Sequence, residues 1–215
     1  MKKFTLLELI IVVSIIGILV TLLLPSLTQA REKAKTAVCM SNSKNIYTAL
    51  TMFNKNNGGF YPYKLAGTMY AMVGKWTSQR PYGADIRPVN EYLGEFSERD
   101  DVPIAHCPSG DYAYDRWGAS YGSNSIVSAI EGINNNDYTG KHVAQIENPS
   151  RLVAFAETGS FHPGWNLRIV PIEELTHSDR KNSRFVVTVT DGRVIYRQVK
   201  LGMDRQEEFT FDDRF

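Results

Sequence analysis

The chain predicts an α+β fold, with one long N-terminal helix laid on an antiparallel sheet. Three observations lead there. Residues 6–24 form an apolar run in which Glu8 is the only charge. Apolar residues then recur at spacings near three and four as far as Phe53, the period of a helix face. Towards the other end, RFVVTVT and RVIYRQVK flank Asp191-Gly192. A D-G pair between two β-branched runs is the strongest short-range hairpin signal.

The totals fit a chain with one packed head. Hydrophobic residues make up 43% of the 215 positions and charged residues 22%, enough apolar surface for a core and too much for disorder. The formal net charge is +1. A large nucleic-acid footprint uses a strongly basic face, so no nucleic-acid partner is expected.

The first element is a helix over residues 4–55, with a membrane span at about 6–24. Its first half is apolar all round. Its second half is amphipathic, with Ala34, Val38, Ile46, Leu50 and Phe53 on one side and Arg31, Lys33, Asn42 and Lys44 largely on the others. Pro25 loosens the helix, because proline removes a backbone donor. Asn56-Asn57-Gly58-Gly59 stops it. At 1.5 Å per residue such a helix is about 75 Å long.

Residues 56–215 make the head. Between residues 60 and 150, Pro62, Pro81, Pro88, Pro103, Pro108 and Pro149 break up long elements. Short helices are expected at 91–96 and 123–131, and Asn134-Asn135-Asn136-Asp137 reads as a solvated turn. Strands are expected at 151–157, 167–170, 184–190 and 193–200. A type I′ turn is expected at Asp191-Gly192. Alternation puts Phe185, Val187 and Val189 against the helix and Val186, Thr188 and Thr190 on the other side.

Glu8 discriminates among three readings of the N-terminus. A carboxylate at the centre of a bilayer-spanning helix costs about 2.5–3.5 kcal/mol, and less near its end. A plain signal anchor gains nothing from it. Neither does an ordinary signal peptide cut after Ala30, where Leu27-Thr28-Gln29-Ala30 is a passable site. The third reading is a short leader, Met1-Lys2-Lys3, removed before the apolar run. FTLLELIIVVSIIGIL resembles the N-terminal methylation motif of type IV pilins and type II secretion pseudopilins. The resemblance covers roughly residues 3–35. It implies cleavage between Lys3 and Phe4, N-methylation of the new Phe4 amine, and a filament-assembly role for Glu8 and Pro25. This chain has Lys3 where the family usually has glycine.

The same resemblance implies the partners: a prepilin peptidase and methyltransferase, other pilin or pseudopilin subunits, an inner-membrane assembly platform, and membrane lipid. It implies a single-pass inner-membrane protein with its N-terminus in the cytoplasm and its head in the periplasm, later packed into a periplasmic filament. In that filament Glu8 of one subunit would pair with the Phe4 amine of its neighbour, fixing axial register. A lone buried charge is costly, and a pair much less so.

CMSNSKNI at Cys39, HCPSGD at His106, SYGSN at Ser120, VAFAET at Val153 and the later His177 with FVVTVTDGRV resemble a large pseudopilin-like family. Its heads end in a His-then-Asp-Gly signature. Thirteen residues separate His177 from Asp191, more than in the named form of that signature. His177 reads as a hydrogen-bonding post for the Asp191-Gly192 hairpin or as a metal ligand. Cys39 and Cys107 read as one disulfide in an exported chain and as two buried thiols in a cytosolic one.

Other patterns carry less. His106, His142, His162 and His177 lack tight metal-ligand spacing, so neither metal nor cofactor is expected. Gly118-Ala119-Ser120-Tyr121-Gly122 fits G-x-S-x-G, but the buried strand and alternating βα pattern of a hydrolase sheet are missing. A non-enzymatic chain is expected. Asp204, Glu207, Glu208, Asp212 and Asp213 lack EF-hand spacing and read as a solvated tail.

The functional expectation is a structural subunit of a type II secretion system or related filament that drives protein export. One alternative is a surface pilin for adhesion or DNA uptake. Another is a membrane-anchored carbohydrate-binding or enzymatic head. For that head, Tyr112, Tyr114, Trp117, Tyr121 and Trp165 would form the binding surface.

Overall fold

The structure is a computed structural model that describes residues 5–63, 72–78, 82–123, 139–157 and 184–198. Helix α1 spans Leu6–Asn56, within two residues of expectation at each end. It begins at Thr5, whose side chain caps the first turn, and contains Pro25 in its interior. It ends where the sequence says it should. Gly58 and Gly59 adopt φ of 63° and 87°, and the Gly59 amide returns to the Asn54 carbonyl at 2.8 Å.

The helix has two environments. From Leu6 to Leu27 its large apolar side chains are exposed. Its buried residues are Cys39, Ser43, Ile46, Ala49, Leu50 and Asn54. Steps of three and four along that series mark one face, which packs on the head.

Four described strands form one antiparallel sheet in sequence order: β1 (Tyr121–Ser123), β2 (Val153–Glu157), β3 (Arg184–Val189) and β4 (Val194–Gln198). A second helix, α2, covers Asp111–Trp117 and stops at the left-handed Gly118. The core lies between α1 and the sheet. Ile46 and Leu50 of the helix meet Phe155 and Val186 of the strands, with Val89, Val102 and Tyr121 filling in from the connections.

Several expectations need correction. The helix expected at 91–96 is a single 3-10 turn, Asn90–Tyr92. Ser123, expected to open a helix, closes strand β1. The turn at Asn134–Asp137 and the strand at 167–170 lie outside the described residues.

The faces of β3 are reversed. Thr188, not Val187, points at α1: its hydroxyl lies 2.7 Å from the Ser43 hydroxyl. Val186 joins the helix-facing core while Phe185, Val187 and Val189 are buried on the other side. With both faces covered, apolarity no longer distinguishes them. Two threonines lie on the helix side because each hydroxyl finds a partner there: Ser43 for Thr188, and the Pro149 carbonyl for Thr190.

The hairpin turn also differs. Val189 and Arg193 close the ladder, and the Gly192 amide donates to the Val189 carbonyl at 2.9 Å. The loop is therefore three residues, Thr190-Asp191-Gly192, ending in a left-handed glycine with φ 89°. This is the three-residue hairpin pattern rather than type I′. A Cβ at Gly192 would sit 2.3 Å from Cε1 of Tyr47. Gly192→Ala should therefore cost more than the usual ~1 kcal/mol of a left-handed position. A urea titration of the variant should show its midpoint falling with an unchanged slope.

Candidate functional site

The first candidate site is the exposed half of α1. Glu8 and Thr5 form a reciprocal cap. The Thr5 amide and hydroxyl donate to Glu8 Oε2 at 2.9 and 2.8 Å, and the Glu8 amide donates to Thr5 Oγ1 at 3.2 Å. Two orphan amides of the helix start are thereby satisfied. The sequence carried that signal in Thr5-Leu6-Leu7-Glu8, the T-x-x-E pattern. The membrane cost of the acid masks that signal.

The hydroxyl side chains from Ser14 to Thr28 are also served from within the helix. Ser14 donates to the Ile10 carbonyl at 2.7 Å, Thr21 to Gly17 at 2.7 Å, Ser26 to Leu23 at 2.9 Å and Thr28 to Leu24 at 3.0 Å. Hydroxyls bonded within their own helix suit a medium without water. By length and hydropathy α1 can cross a membrane, and none of its most apolar stretch is buried. Pro25 lies just past this stretch. Lacking an amide hydrogen, it leaves the Thr21 carbonyl without its helical donor, a local weak point in the ladder. Lys3 and Phe4, the expected cleavage boundary, lie outside the described residues.

The second candidate site is the junction where α1 enters the head. Cys39, the first buried residue of the helix, is disulfide-bonded to Cys107, with Cα atoms 4.9 Å apart. Of the two readings open to the cysteines, the structure has the disulfide. Around it the Tyr121 hydroxyl donates to the Cys39 carbonyl at 2.9 Å, and Asn42 Nδ2 donates to the His106 carbonyl at 2.8 Å. Further along, Lys44 Nζ donates to the Gly192 carbonyl at 2.8 Å and Tyr47 OH to the Thr190 carbonyl at 2.6 Å. The Asp191-Gly192 turn is thus held by the helix. Asp191 itself stabilises the turn, its Oδ1 accepting from the Arg193 amide at 2.9 Å. His177, the expected post, lies outside the described residues.

Glu157 lies in the VAFAET stretch, where nothing in the sequence singles it out. It is fully buried on β2. Its Oε2 accepts from the Val186 amide at 2.9 Å, and its Oε1 lies 3.1 Å from Cys107 Sγ. A buried acid directed at a disulfide has no sequence signature. Only the β2–β3 register, which sets Ala156 opposite Val187, brings it to the helix side.

Two of the aromatics assigned to a binding surface are core residues. Tyr114 and Tyr121 are buried. The Tyr114 hydroxyl donates to Asp101 at 2.7 Å and accepts from the Val102 amide at 3.0 Å. Trp165 and the Tyr112 side chain lie outside what is described. Ser120 is buried as well. Its hydroxyl accepts from the Cys107 amide at 3.0 Å and donates to the Gly110 carbonyl at 3.2 Å, so it braces the disulfide loop. His106 stacks on Tyr114 at 4.5 Å and pairs with Asp111 at 2.7 Å. His142 caps the 3-10 turn Val143–Gln145. His162 and the acids from Asp204 to Asp213 lie outside the described residues.

Burial raises the phenols of this junction. Tyr121 is held well above the ordinary range by burial and by the nearby Glu157 carboxylate. Tyr114 is raised by burial and by Asp101. An ordinary tyrosine titrates near about pH 10. Above that value the unfolded chain loses protons that the native chain keeps, so stability falls as pH rises. The urea midpoint should hold from neutral pH to about pH 10 and then drop. Tyr121→Phe should make the alkaline drop shallower, although it lowers the plateau by removing the bond to Cys39.

No family model, curated protein or solved structure matches the chain. The fold class rests on the geometry just described, a long apolar helix packed on a four-stranded antiparallel sheet. The architecture is pilin-like. Its exposed helix half and its head are continuous through α1. Here they are joined covalently at the residue where the helix first becomes buried.

Proposed function

We propose that the chain is a pseudopilin-like structural subunit of a type II secretion system or a related type IV filament. The observation that carries the reading is the exposed apolar half of α1, headed by the Thr5–Glu8 cap, with its hydroxyls bonded within the helix. A large apolar surface on a folded chain marks a membrane or a protein partner. Both follow in turn here: first the inner membrane, with the head in the periplasm, then the helices of neighbouring subunits. A prepilin peptidase cuts between Lys3 and Phe4, and the new amine is methylated. An inner-membrane platform then adds subunits, and the growing filament drives protein export. The Cys39–Cys107 disulfide supports an oxidising compartment for the head.

The test is assembly in a reconstituted system. The chain is co-expressed with a prepilin peptidase and a secretion-type assembly platform, and sheared material is pelleted and imaged. Filaments labelled by an antibody to this head, and absent without the peptidase, are the expected result. A head that stays in the membrane fraction while the platform assembles its own pseudopilin would reject the reading.

A further inference from the structure

We propose that the reduced chain binds one thiophilic divalent cation of the Zn²⁺ class between Cys39, Cys107 and Glu157, at the place the disulfide occupies when oxidised. The two sulfurs and a Glu157 carboxylate oxygen lie within 4.8 Å of one another, and all three residues are buried. This reading stands independently of the filament.

The carboxylate is already oriented. One oxygen, Oε2, is fixed by the Val186 amide at 2.9 Å. The other, Oε1, faces the sulfurs, 3.1 Å from Cys107 Sγ. A hydrogen bond from the protein backbone that aims a ligand at its metal is the usual outer-shell arrangement. Two thiolates and a carboxylate are a donor set that Zn²⁺ accepts, at about 2.3 Å to sulfur and 2.0–2.2 Å to oxygen, with a water carried in with the ion completing the tetrahedron. Two sulfurs on a tetrahedral ion stand about 3.8 Å apart by that geometry. Opening the disulfide lets side-chain rotation reach that separation.

The backbone stays in place when the S–S bond is cut, because its other ties bypass sulfur. Tyr121 holds the Cys39 carbonyl, Asn42 holds the His106 carbonyl, Ser120 holds the Cys107 amide and Ser43 holds Thr188. The three ligands come from three separate places: α1, the loop before α2, and β2. The ion therefore enters as these close together during folding, and sealing of the site follows.

The chemistry balances. A dithiol supplies two electrons and two protons and leaves as its own disulfide. Cys39 and Cys107 become thiols. The cation then displaces both protons, so the three anionic donors face a dication instead of each other. Metal occupancy and disulfide closure exclude one another. The bound ion joins helix and head in the reducing state and delays oxidation.

The experiment uses the full chain in detergent micelles, reduced, freed of reductant under nitrogen and refolded with Co²⁺ or Zn²⁺. The expected result is one Co²⁺ per chain, with sulfur-to-cobalt charge-transfer absorption from two thiolates and the visible bands of a tetrahedral site, both lost on adding Zn²⁺. Zn²⁺ should slow re-formation of the disulfide at least about tenfold. Glu157→Gln should weaken Co²⁺ binding at least about tenfold. Glu157→Asp, which draws the oxygen back by one methylene, covers the case in which the amide does not fold. A reduced chain that is folded by circular dichroism yet lacks the charge-transfer band would overturn the proposal. So would equal affinity in both Glu157 variants, or equal stoichiometry in Cys39→Ser.

Discussion

Glu8→Gln should leave a chain that folds, inserts and is processed, but adds to filaments more than a hundredfold less efficiently. Two roles for Glu8 make opposite predictions for this substitution. In the isolated chain Glu8 caps Thr5, a contribution of about 1 kcal/mol. Glutamine serves in the same capping box, so the cap survives. In the proposed filament Glu8 also meets the cationic amine of a neighbouring Phe4. Removing one partner of a buried ion pair costs about 3–5 kcal/mol, because the other charge is left uncompensated. That is a factor of more than a hundred per added subunit. Glu8→Ala loses both roles. If Glu8→Gln assembles normally while Glu8→Ala does not, Glu8 acts as a cap alone and the pairing is wrong. Counting pelleted filaments at matched membrane levels separates the outcomes.

The second large effect concerns the staple. The cysteines are 68 residues apart in sequence. Closing a loop of that length removes about 4 kcal/mol of unfolded-state entropy in the chain-entropy treatment. Domains of ordinary size are stable by about 5–15 kcal/mol, so the double variant Cys39→Ala/Cys107→Ala should lose about a quarter or more of its stability. Alanine is the proper replacement, because serine would bury two hydroxyls as well. The expected readout is a large fall in the urea midpoint of the head, matched by chemical reduction of the unmodified chain in the absence of metal. An unchanged midpoint would mean that the hydrogen bonds from Asn42, Lys44, Tyr47 and Tyr121 hold the helix without help. The position of the bond matters as much as its energy. Cys39 is the first buried residue of α1, so in the proposed filament a pull on the exposed half of the helix would reach the head at a covalent bond.

Local chemistry made α1 and the β3–β4 hairpin readable. The apolar run, the three-and-four spacing, the Asn-Asn-Gly-Gly stop and the Asp-Gly turn each act within a few residues, so each is visible in a short window. The faces of β3 were not readable. Phe185, Val187 and Val189 are buried as fully as Val186 and Thr188, and only long-range pairing with Ser43 chooses between them. Distance in sequence also hid Glu157 and the buried pair Arg87 and Asn90. Arg87 donates to the Val73 and Lys75 carbonyls at 2.8 and 2.6 Å. Asn90 Nδ2 donates to the Gly74 and Ala84 carbonyls, both at 2.8 Å. Polar residues that satisfy irregular backbone have no period to follow, so they read as surface residues. For the proposed assembly site, Glu8 stands out in the sequence as a lone acid and Thr5 does not, although the T-x-x-E pattern joins them.

In the proposed subunit the apolar half of α1 is retained and presented after a prepilin-type cut. Intact mass and N-terminal sequencing of the membrane-extracted chain test it most directly. The expected result is a mature chain beginning at N-methylated Phe4. A chain that begins at Met1 would leave Glu8 without its partner amine. A chain that begins at Arg31 would have discarded the apolar segment altogether, and either result would contradict the account.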